Sequence, residues 1–189
     1  MLYTGKGDGG TTKTFGPDQQ RISKASELPE ALGTLDELNS YVGLCKIRAT
    51  HAEGAYVMIG KKKYTTSRIL RDVQETLFIV QAEVAGAPKK VGKAKVTQIE
   101  LIINTIEKII PPIVSFSIAG GTELSALLDI ARTLSRRAER RVVGIHEHGL
   151  RKLGDNTRAY LNRLSSLLFA LARLANHTSG IQEENPTYR

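Results

Sequence analysis

From Pro29 onward, apolar residues recur at steps of three and four. In PEALGTLDELNSYVGLCKIRA the positions Leu35, Leu38, Val42 and Cys45 form one stripe despite the interior glycines, which predicts a first helix. Residues 51–63, HAEGAYVMIGKKK, break the period and read as a connection. SRILRDVQETLFIVQAEVAG restores the stripe through Ile69, Val73, Leu77 and Val80 and predicts a second helix. After the basic loop GAPKKVGKAK, VTQIELIINTIEKII carries Ile99, Ile102, Ile103 and Ile106 into a third helix that Pro111 and Pro112 stop. Beyond the irregular IVSFSIAGG, Thr122 can cap a long fourth helix through about His148, and Asp155 or Asn156 can cap a fifth through about Asn176. Residues 1–26, rich in Gly, Thr, Lys and Asp, show neither period and read as an extended arm. The pattern contains no internal repeat and no convincing strand. It predicts an all-α fold, a five-helix up-and-down bundle with an extended N-terminal arm. A single domain is expected over 1–189, with the arm at 1–26, the bundle at 29–176 and a tail at 177–189.

Composition narrows the class. The 189 residues are 41% hydrophobic and 24% charged, enough for one real core, which excludes a disordered or fibrous chain. Lys and Arg total 27 against 19 Asp and Glu, and the formal charge of +8 favours an anionic partner. With four Phe, six Tyr and no Trp, a base-stacking surface has few rings to draw on, whereas phosphate binding stays open. Cys45 is the single cysteine, which excludes an internal disulfide and a thiolate metal cluster and suits a reducing, cytoplasmic compartment. No apolar run reaches the roughly 18 residues of a membrane span, and MLYTGKGDGG lacks the hydrophobic region of a secretion signal, so neither membrane insertion nor export is expected.

The richest segment is LSALLDIARTLSRRAERRVVGIHEH. Turned at about 100° per residue, it gathers Leu127, Ile130, Ala131, Leu134, Ala138 and Val142 on one stripe and Arg132, Arg136, Glu139 and Arg140 nearly opposite. A solvated helix face and an anion site built on guanidinium forks both fit this arrangement, and composition alone leaves both open.

In the arm, YTGKGDGGTTKTF concentrates glycines, hydroxyls and two lysines suited to wrapping a polyphosphate with backbone N–H groups and ammonium charge. An unordered terminus has the same composition. Gly5, Gly7 and Gly10 satisfy G-x-G-x-x-G, but no strand precedes them and no βαβ unit follows, so the dinucleotide-fold reading fails. Gly10 is followed by Thr11 and Thr12 rather than Lys and Ser or Thr, which excludes a Walker loop. His51, His146, His148 and His177 have no metal-ligand spacing, and metal ligands stay unassigned.

Taken together, YTGKGDGGTT, ALGTLDELNSYVG, DVQETLF, FSIAGGTELSALLDIARTLSRRAERRVV and LNRLSSLLFALAR follow one another in the order and at roughly the spacings of PduO-type ATP:cob(I)alamin adenosyltransferases, so nearly the whole chain resembles that family. The resemblance implies a homotrimer of helical bundles with active sites between subunits. It implies transfer of the 5′-deoxyadenosyl group of ATP to the cobalt of cob(I)alamin, with release of triphosphate and with magnesium bound through the ATP phosphates. A reductase and a B12-dependent enzyme are further partners it suggests; nucleic acid and membrane are not.

Carried over by residue, the resemblance places Thr4, Gly5, Lys6, Gly7, Thr12, Lys13 and Lys24 at the ATP. Arg136, Arg137, Glu139, Arg140 and Asn162 join them, the α-helical ones from a neighbouring subunit. Asp36 and Arg132 match an ion pair that bridges subunits and supports the corrin side, and Phe116 matches the aromatic residue under the corrin ring. Arg132, Asp36, Phe116, Arg136 and Glu139 are therefore the expected catalytic set. The chain departs from the pattern at Ala119, where Pro is usual, at Ser166, where Asp is usual, and in the longer connection 51–63.

This chemistry asks little of the protein as a reagent. Cob(I)alamin is itself a strong nucleophile, so no Ser, Cys or general base is needed, and the tasks left are placement and charge neutralisation. An apolar Phe116 side chain would keep a lower axial ligand off cobalt and so ease the reduction of Co(II) to Co(I). Two other classes fit the composition: a basic helical module binding nucleic acid through the Arg row, and a corrinoid carrier or plain oligomerisation bundle without turnover.

Overall fold

The computed structural model describes residues 2–16, 19–52 and 54–188, so the extreme ends of the arm and tail lie outside it. Among the described residues, five helices make up the bundle: α1 (Glu27–Ala49), α2 (Thr66–Ala85), α3 (Lys93–Glu107), α4 (Glu123–Glu147) and α5 (Asp155–Thr178). α1 packs on α2 and α4, while α5 packs on α4 and α3. α1 and α4 run antiparallel, since Glu30 pairs with Arg141 at 3.4 Å near one end and Arg48 with Glu123 at 3.2 Å near the other. α5 carries the deepest apolar face: Leu161, Leu164, Leu167, Leu168 and Leu171 are all buried. Each such side chain stabilises the fold by about 1.5–3 kcal/mol relative to exposure.

The five-helix expectation holds, with corrections in detail. Two short antiparallel hairpins occur where no strand was expected. β1 (Thr11–Lys13) pairs with β2 (Arg21–Ser23) inside the arm, and β3 (Tyr56–Ile59) pairs with β4 (Lys62–Thr65) across the 51–63 connection and two residues beyond it. Strands of three or four residues are too short for an alternating pattern to stand out, and the second hairpin packs against α3 and α2. In β3 the inward Val57 is buried, and the Lys63 amine lies 4.1 Å from the Tyr56 ring centroid.

The apolar stripe of α4 is rotated from the expected one. Leu124, Leu128, Ala131, Ser135, Ala138, Val142 and Ile145 are buried, whereas Leu127 and Leu134 are half-buried and Ile130 is exposed. Packing against α1 on one flank and α5 on the other centres the contact near Ser135, whose hydroxyl satisfies itself by donating to the Arg132 carbonyl at 2.7 Å.

Helix ends also differ from expectation. Thr122 caps α4 as expected, its Oγ1 accepting from the Ser125 amide at 3.1 Å. At α5, however, Asp155 is already helical and the cap position falls on Gly154, which has no side chain to offer. The buried Glu83 of α2 takes over, accepting from the Gly154 amide at 2.7 Å and from the Thr157 hydroxyl at 2.5 Å. A carboxylate at a helix N-terminus also meets the favourable end of its dipole. α3 stops at Glu107, ahead of the prolines, and α5 runs to Thr178, after which residues 179–188 fold back over the loop between α3 and α4.

Candidate functional site

The loop 111–121 joins α3 to α4 and presents apolar side chains outward. Phe116 is 79% exposed and Val114 88%. Beneath Phe116 lies a cavity of about 390 Å³, bounded by Arg132 and Arg136 of α4 and by Ser165, Ser166 and Phe169 of α5. Three of the residues singled out from the sequence, Phe116, Arg132 and Arg136, thus face one space. Phe169 was not anticipated; its spacing in α5 marks it only as one more apolar position.

Arg132 is half-buried. Its Nε donates to Asp129 Oδ1 at 3.1 Å, and its guanidinium lies 5.8 Å from the Phe169 ring centroid, within range of a cation–π contact. Asp36 sits on the exposed face of α1 and makes no side-chain hydrogen bond or ion pair among the described residues. The expected Asp36–Arg132 pair is therefore not made within one chain.

The other α4 residues divide between two flanks. Arg136 is exposed and its guanidinium has no protein acceptor among the described residues, while Arg140 Nη1 folds back to the Arg136 carbonyl at 3.1 Å. Glu139 accepts from Asn162 Nδ2 at 2.9 Å, and Asn162 in turn accepts from Arg163 Nη1 at 2.6 Å, so the α4 carboxylate is tied to α5. Arg137 points the other way and pairs with Glu37 of α1, apart from Arg136 and Arg140. In the single chain Arg137 belongs to the α1–α4 seam rather than to the cationic face.

In the arm, Arg21 does what no motif announced. Its guanidinium crosses the β1–β2 hairpin to Thr11 Oγ1, at 2.9 Å from Nε and 2.6 Å from Nη2, and reaches the Lys6 carbonyl. The Gly5–Gly10 turn closes through Asp8 N to Gly5 O and Gly10 N to Gly7 O, each 3.1 Å, with Gly5 and Gly10 at φ of +66° and +74°. These are left-handed conformations that glycine adopts without strain. Lys24 is fixed by its own amide, which donates to Gly10 O at 2.9 Å, and its amine lies over Gly7. Lys13 Nζ bonds Gln19 Oε1 at 3.1 Å, and Thr12 lines a hollow with Ile22, Leu28, Leu32 and Ala85. Thr4 and Lys6 are exposed. The arm therefore lies on the α1 start and α2 end. No hydrogen bond or ion pair among the described residues joins it to the α4 arginines of the same chain.

At the departures from the expected pattern, Ala119 is exposed and Ser166 lines the cavity under Phe116. Loop rigidity comes from elsewhere. The side chain of Asn176 donates to Gly120 O at 2.9 Å and accepts from Thr122 N at 3.0 Å, clamping the loop's end to α5. Among the described residues no group of three His, Cys, Asp or Glu stands ready to hold a metal ion.

Comparison with known proteins places this geometry. The profile of the family described as Cobalamin adenosyltransferase matches residues 2–175. The corrinoid adenosyltransferase PduO of Citrobacter freundii is 36% identical over 184 residues, 93% of this chain and 50% of that protein, so the chain spans about half the length of this relative. The corrinoid adenosyltransferase of Bacillus subtilis (strain 168) is 34% identical, over 95% of this chain and 89% of that one. Among solved structures, a phenylalanine-to-alanine variant of a PduO-type ATP:corrinoid adenosyltransferase from Lactobacillus reuteri, complexed with cobalamin and ATP, superposes with a TM-score of 0.84 at 27% identity, covering 99% of each chain. An arginine-to-lysine variant from the same organism, complexed with ATP, superposes at 0.83 and 28% identity, over 98% of this chain and 99% of that one. The profile match over most of the sequence and the fold shared from arm to tail lead to one conclusion: the chain belongs to the cobalamin adenosyltransferase family.

Proposed function

We propose that this chain transfers the 5′-deoxyadenosyl group of ATP to the cobalt of cob(I)alamin. The observation that carries the reading is the cavity in which an exposed Phe116 stands opposite Arg132 and Arg136, an apolar wall facing cationic groups. In the reaction the cobalt electron pair forms the Co–C5′ bond, the C5′–O bond breaks, and triphosphate leaves with that bond's electrons. Both substrates held in line can contribute about 7–11 kcal/mol of the barrier through avoided entropy loss.

Each residue then has a task. Lys6, Lys13 and Lys24, with the open backbone of Gly5 and Gly7 and the hydroxyls of Thr4 and Thr12, hold the polyphosphate; Arg136 and Arg140 neutralise it as it departs. Glu139, already oriented by Asn162, directs the nucleoside and the neighbouring guanidinium groups rather than moving a proton. Arg137 joins this set only if its seam with Glu37 opens. Magnesium comes with the ATP, held by the phosphates. Phe116 covers the lower face of the corrin, keeping water and the nucleotide tail off cobalt while a one-electron donor, such as a reduced flavin on a reductase, takes Co(II) to Co(I).

The site is shared between protomers of a homotrimer. Two features support this: no hydrogen bond or ion pair among the described residues joins the arm to the α4 arginines within one chain, and α1 and α4 expose Leu44, Ile47 and Ile130, a face suited to a second copy. Asp36, on that α1 face, would meet Arg132 of the neighbour. The whole chain acts as one domain in a cytoplasmic setting, handing its product to a B12-dependent enzyme.

The test is direct. Incubated with ATP, magnesium and chemically reduced cobalamin, the protein is expected to release triphosphate in step with a light-sensitive Co–C product. Binding of corrinoid without turnover would make it a carrier. Salt-sensitive binding of RNA or DNA with no product would make it a nucleic-acid module. Within the reading, Phe116→Ala is expected to slow turnover from Co(II) far more than from pre-reduced Co(I), and equal losses contradict ligand exclusion.

A further inference from the structure

We infer that Arg173 is a positioning residue: joined to Glu183, it latches the Phe116 loop in place over the cavity. This rests on the reading of Phe116 above. Arg173 sits on α5 four residues after Phe169, and its side chain is only 9% exposed. Its Nε donates to Glu183 Oε1 at 3.0 Å and Oε2 at 2.9 Å, and its Nη2 donates to Pro111 O at 3.0 Å. One guanidinium thereby ties the first residue of the Phe116 loop to the chain's tail and, 5.9 Å away, rests against the same Phe169 ring that Arg132 approaches.

The tail completes the grip on the loop. The Ile118 amide donates to Glu184 O at 2.8 Å, and the Ser115 hydroxyl donates to Asn185 Oδ1 at 2.8 Å, so Phe116 is bracketed on both sides by the two residues that follow Glu183. Among the described residues, residues 111–118 make no backbone hydrogen bond to one another, and Pro111 and Pro112 lack an N–H. The shape of this loop is therefore set from outside, by α5 and the tail. A buried Arg–carboxylate pair is weak evidence for stability, because desolvation offsets its attraction; its geometric effect is to fix position. Loosening the latch leaves Phe116 in the chain but no longer held against the corrin, so a lower ligand can return to cobalt and the Co(II)/Co(I) step becomes harder.

The experiment uses the full chain with Glu183→Gln, Arg173→Lys and the milder Glu183→Asp. Turnover is followed from Co(II)cobalamin with a reduced-flavin donor and, separately, from pre-reduced Co(I); the Co(II) spectrum is recorded with ATP bound. For Glu183→Gln the expected result is Co(II)-started turnover down about tenfold, Co(I)-started turnover and KM for ATP within about twofold, and a loss of the four-coordinate Co(II) signature that Glu183→Asp partly restores. Equal losses from both oxidation states, no change in either, or failure of both Glu183→Gln and Arg173→Lys to fold would overturn the latch and leave the pair a structural staple. A wild-type chain that never shows four-coordinate Co(II) would instead overturn the role of Phe116 itself, so the two failures are distinguishable.

Discussion

The Lys24 amine occupies the space that a side chain on Gly7 would need: a Cβ at Gly7 would come within 2.9 Å of Lys24 Nζ. The bare backbone at position 7 lets an ammonium group lie directly on the glycine turn, where it can face a phosphate together with the turn's amides. Gly7→Ala and Lys24→Ala should therefore have the same effect, raising KM for ATP several-fold while kcat stays within about twofold. Steady-state kinetics with ATP varied checks this. A normal KM in both variants would remove this pair from the phosphate site.

Asp36 and Arg132 test the corrin side. Arg132 holds Asp129 within its own helix, and the exposed Asp36 has no partner among the described residues of its chain. Asp36→Asn and Arg132→Ala are each expected to lower turnover about 100-fold with little change in KM for ATP, the scale expected when a reacting partner is misplaced by an ångström. Corrinoid titration followed by its absorbance should show the weakened step. Unchanged turnover in both variants would refute the ion-pair role.

How much of this was legible depends on range. The five helices could be read because apolar residues at three- and four-residue steps are a local signal, and Thr122 could be named as a cap because its acceptor role spans three residues. The start of α5 could not, since its carboxylate comes from Glu83, 71 residues earlier in the chain. The same limit hid Arg173 and Asn176: in the sequence they are polar interruptions of ALARLAN, and only the packed chain brings them to Pro111, Gly120 and Thr122. Arg132, Arg136, Glu139 and Arg140 were readable as one face, but Ile130 was misplaced by a rotation that depends on two flanking helices at once. The roles proposed for the arm and the Arg face come from resemblance, not from spacing.

Gly121 carries a stability prediction. It stands at φ +106°, and a Cβ there would fall 2.4 Å from Asn176 Oδ1, the atom that accepts from the Thr122 amide. Gly121→Ala combines backbone strain with displacement of the clamp, so it should destabilise the fold by about 2–4 kcal/mol, against about 1–3 kcal/mol for Asn176→Ala. Urea unfolding of both variants measures this, and a Gly121→Ala midpoint equal to wild type would contradict it.

The pH dependence of stability should show one histidine. His148 Nδ1 lies 2.7 Å from Glu27 Oε2, and this hydrogen bond, with the charge of Glu27, raises its pKa above the ordinary 6.5. A raised folded-state pKa means the contribution is fully present below pH 6.5 and is lost as pH rises through the higher folded value. The pair is exposed, so the effect is small. The Tm difference between wild type and His148→Gln should thus shrink as pH rises from about 5.5 to about 8.5. A difference that grows over that range would reverse the assignment.

The central claim is that one site is built from the arm of one protomer and the α4 arginines of another, and mixing protomers tests it most directly. A Lys6→Ala, Lys24→Ala double variant and an Arg136→Ala variant, each nearly inactive at limiting ATP, are unfolded together, refolded together and assayed for Co–C product. If each site joins two chains, about one junction in four receives both intact halves, and activity should recover to about a quarter of wild type. A mixture no more active than the average of its two parents would contradict the shared site.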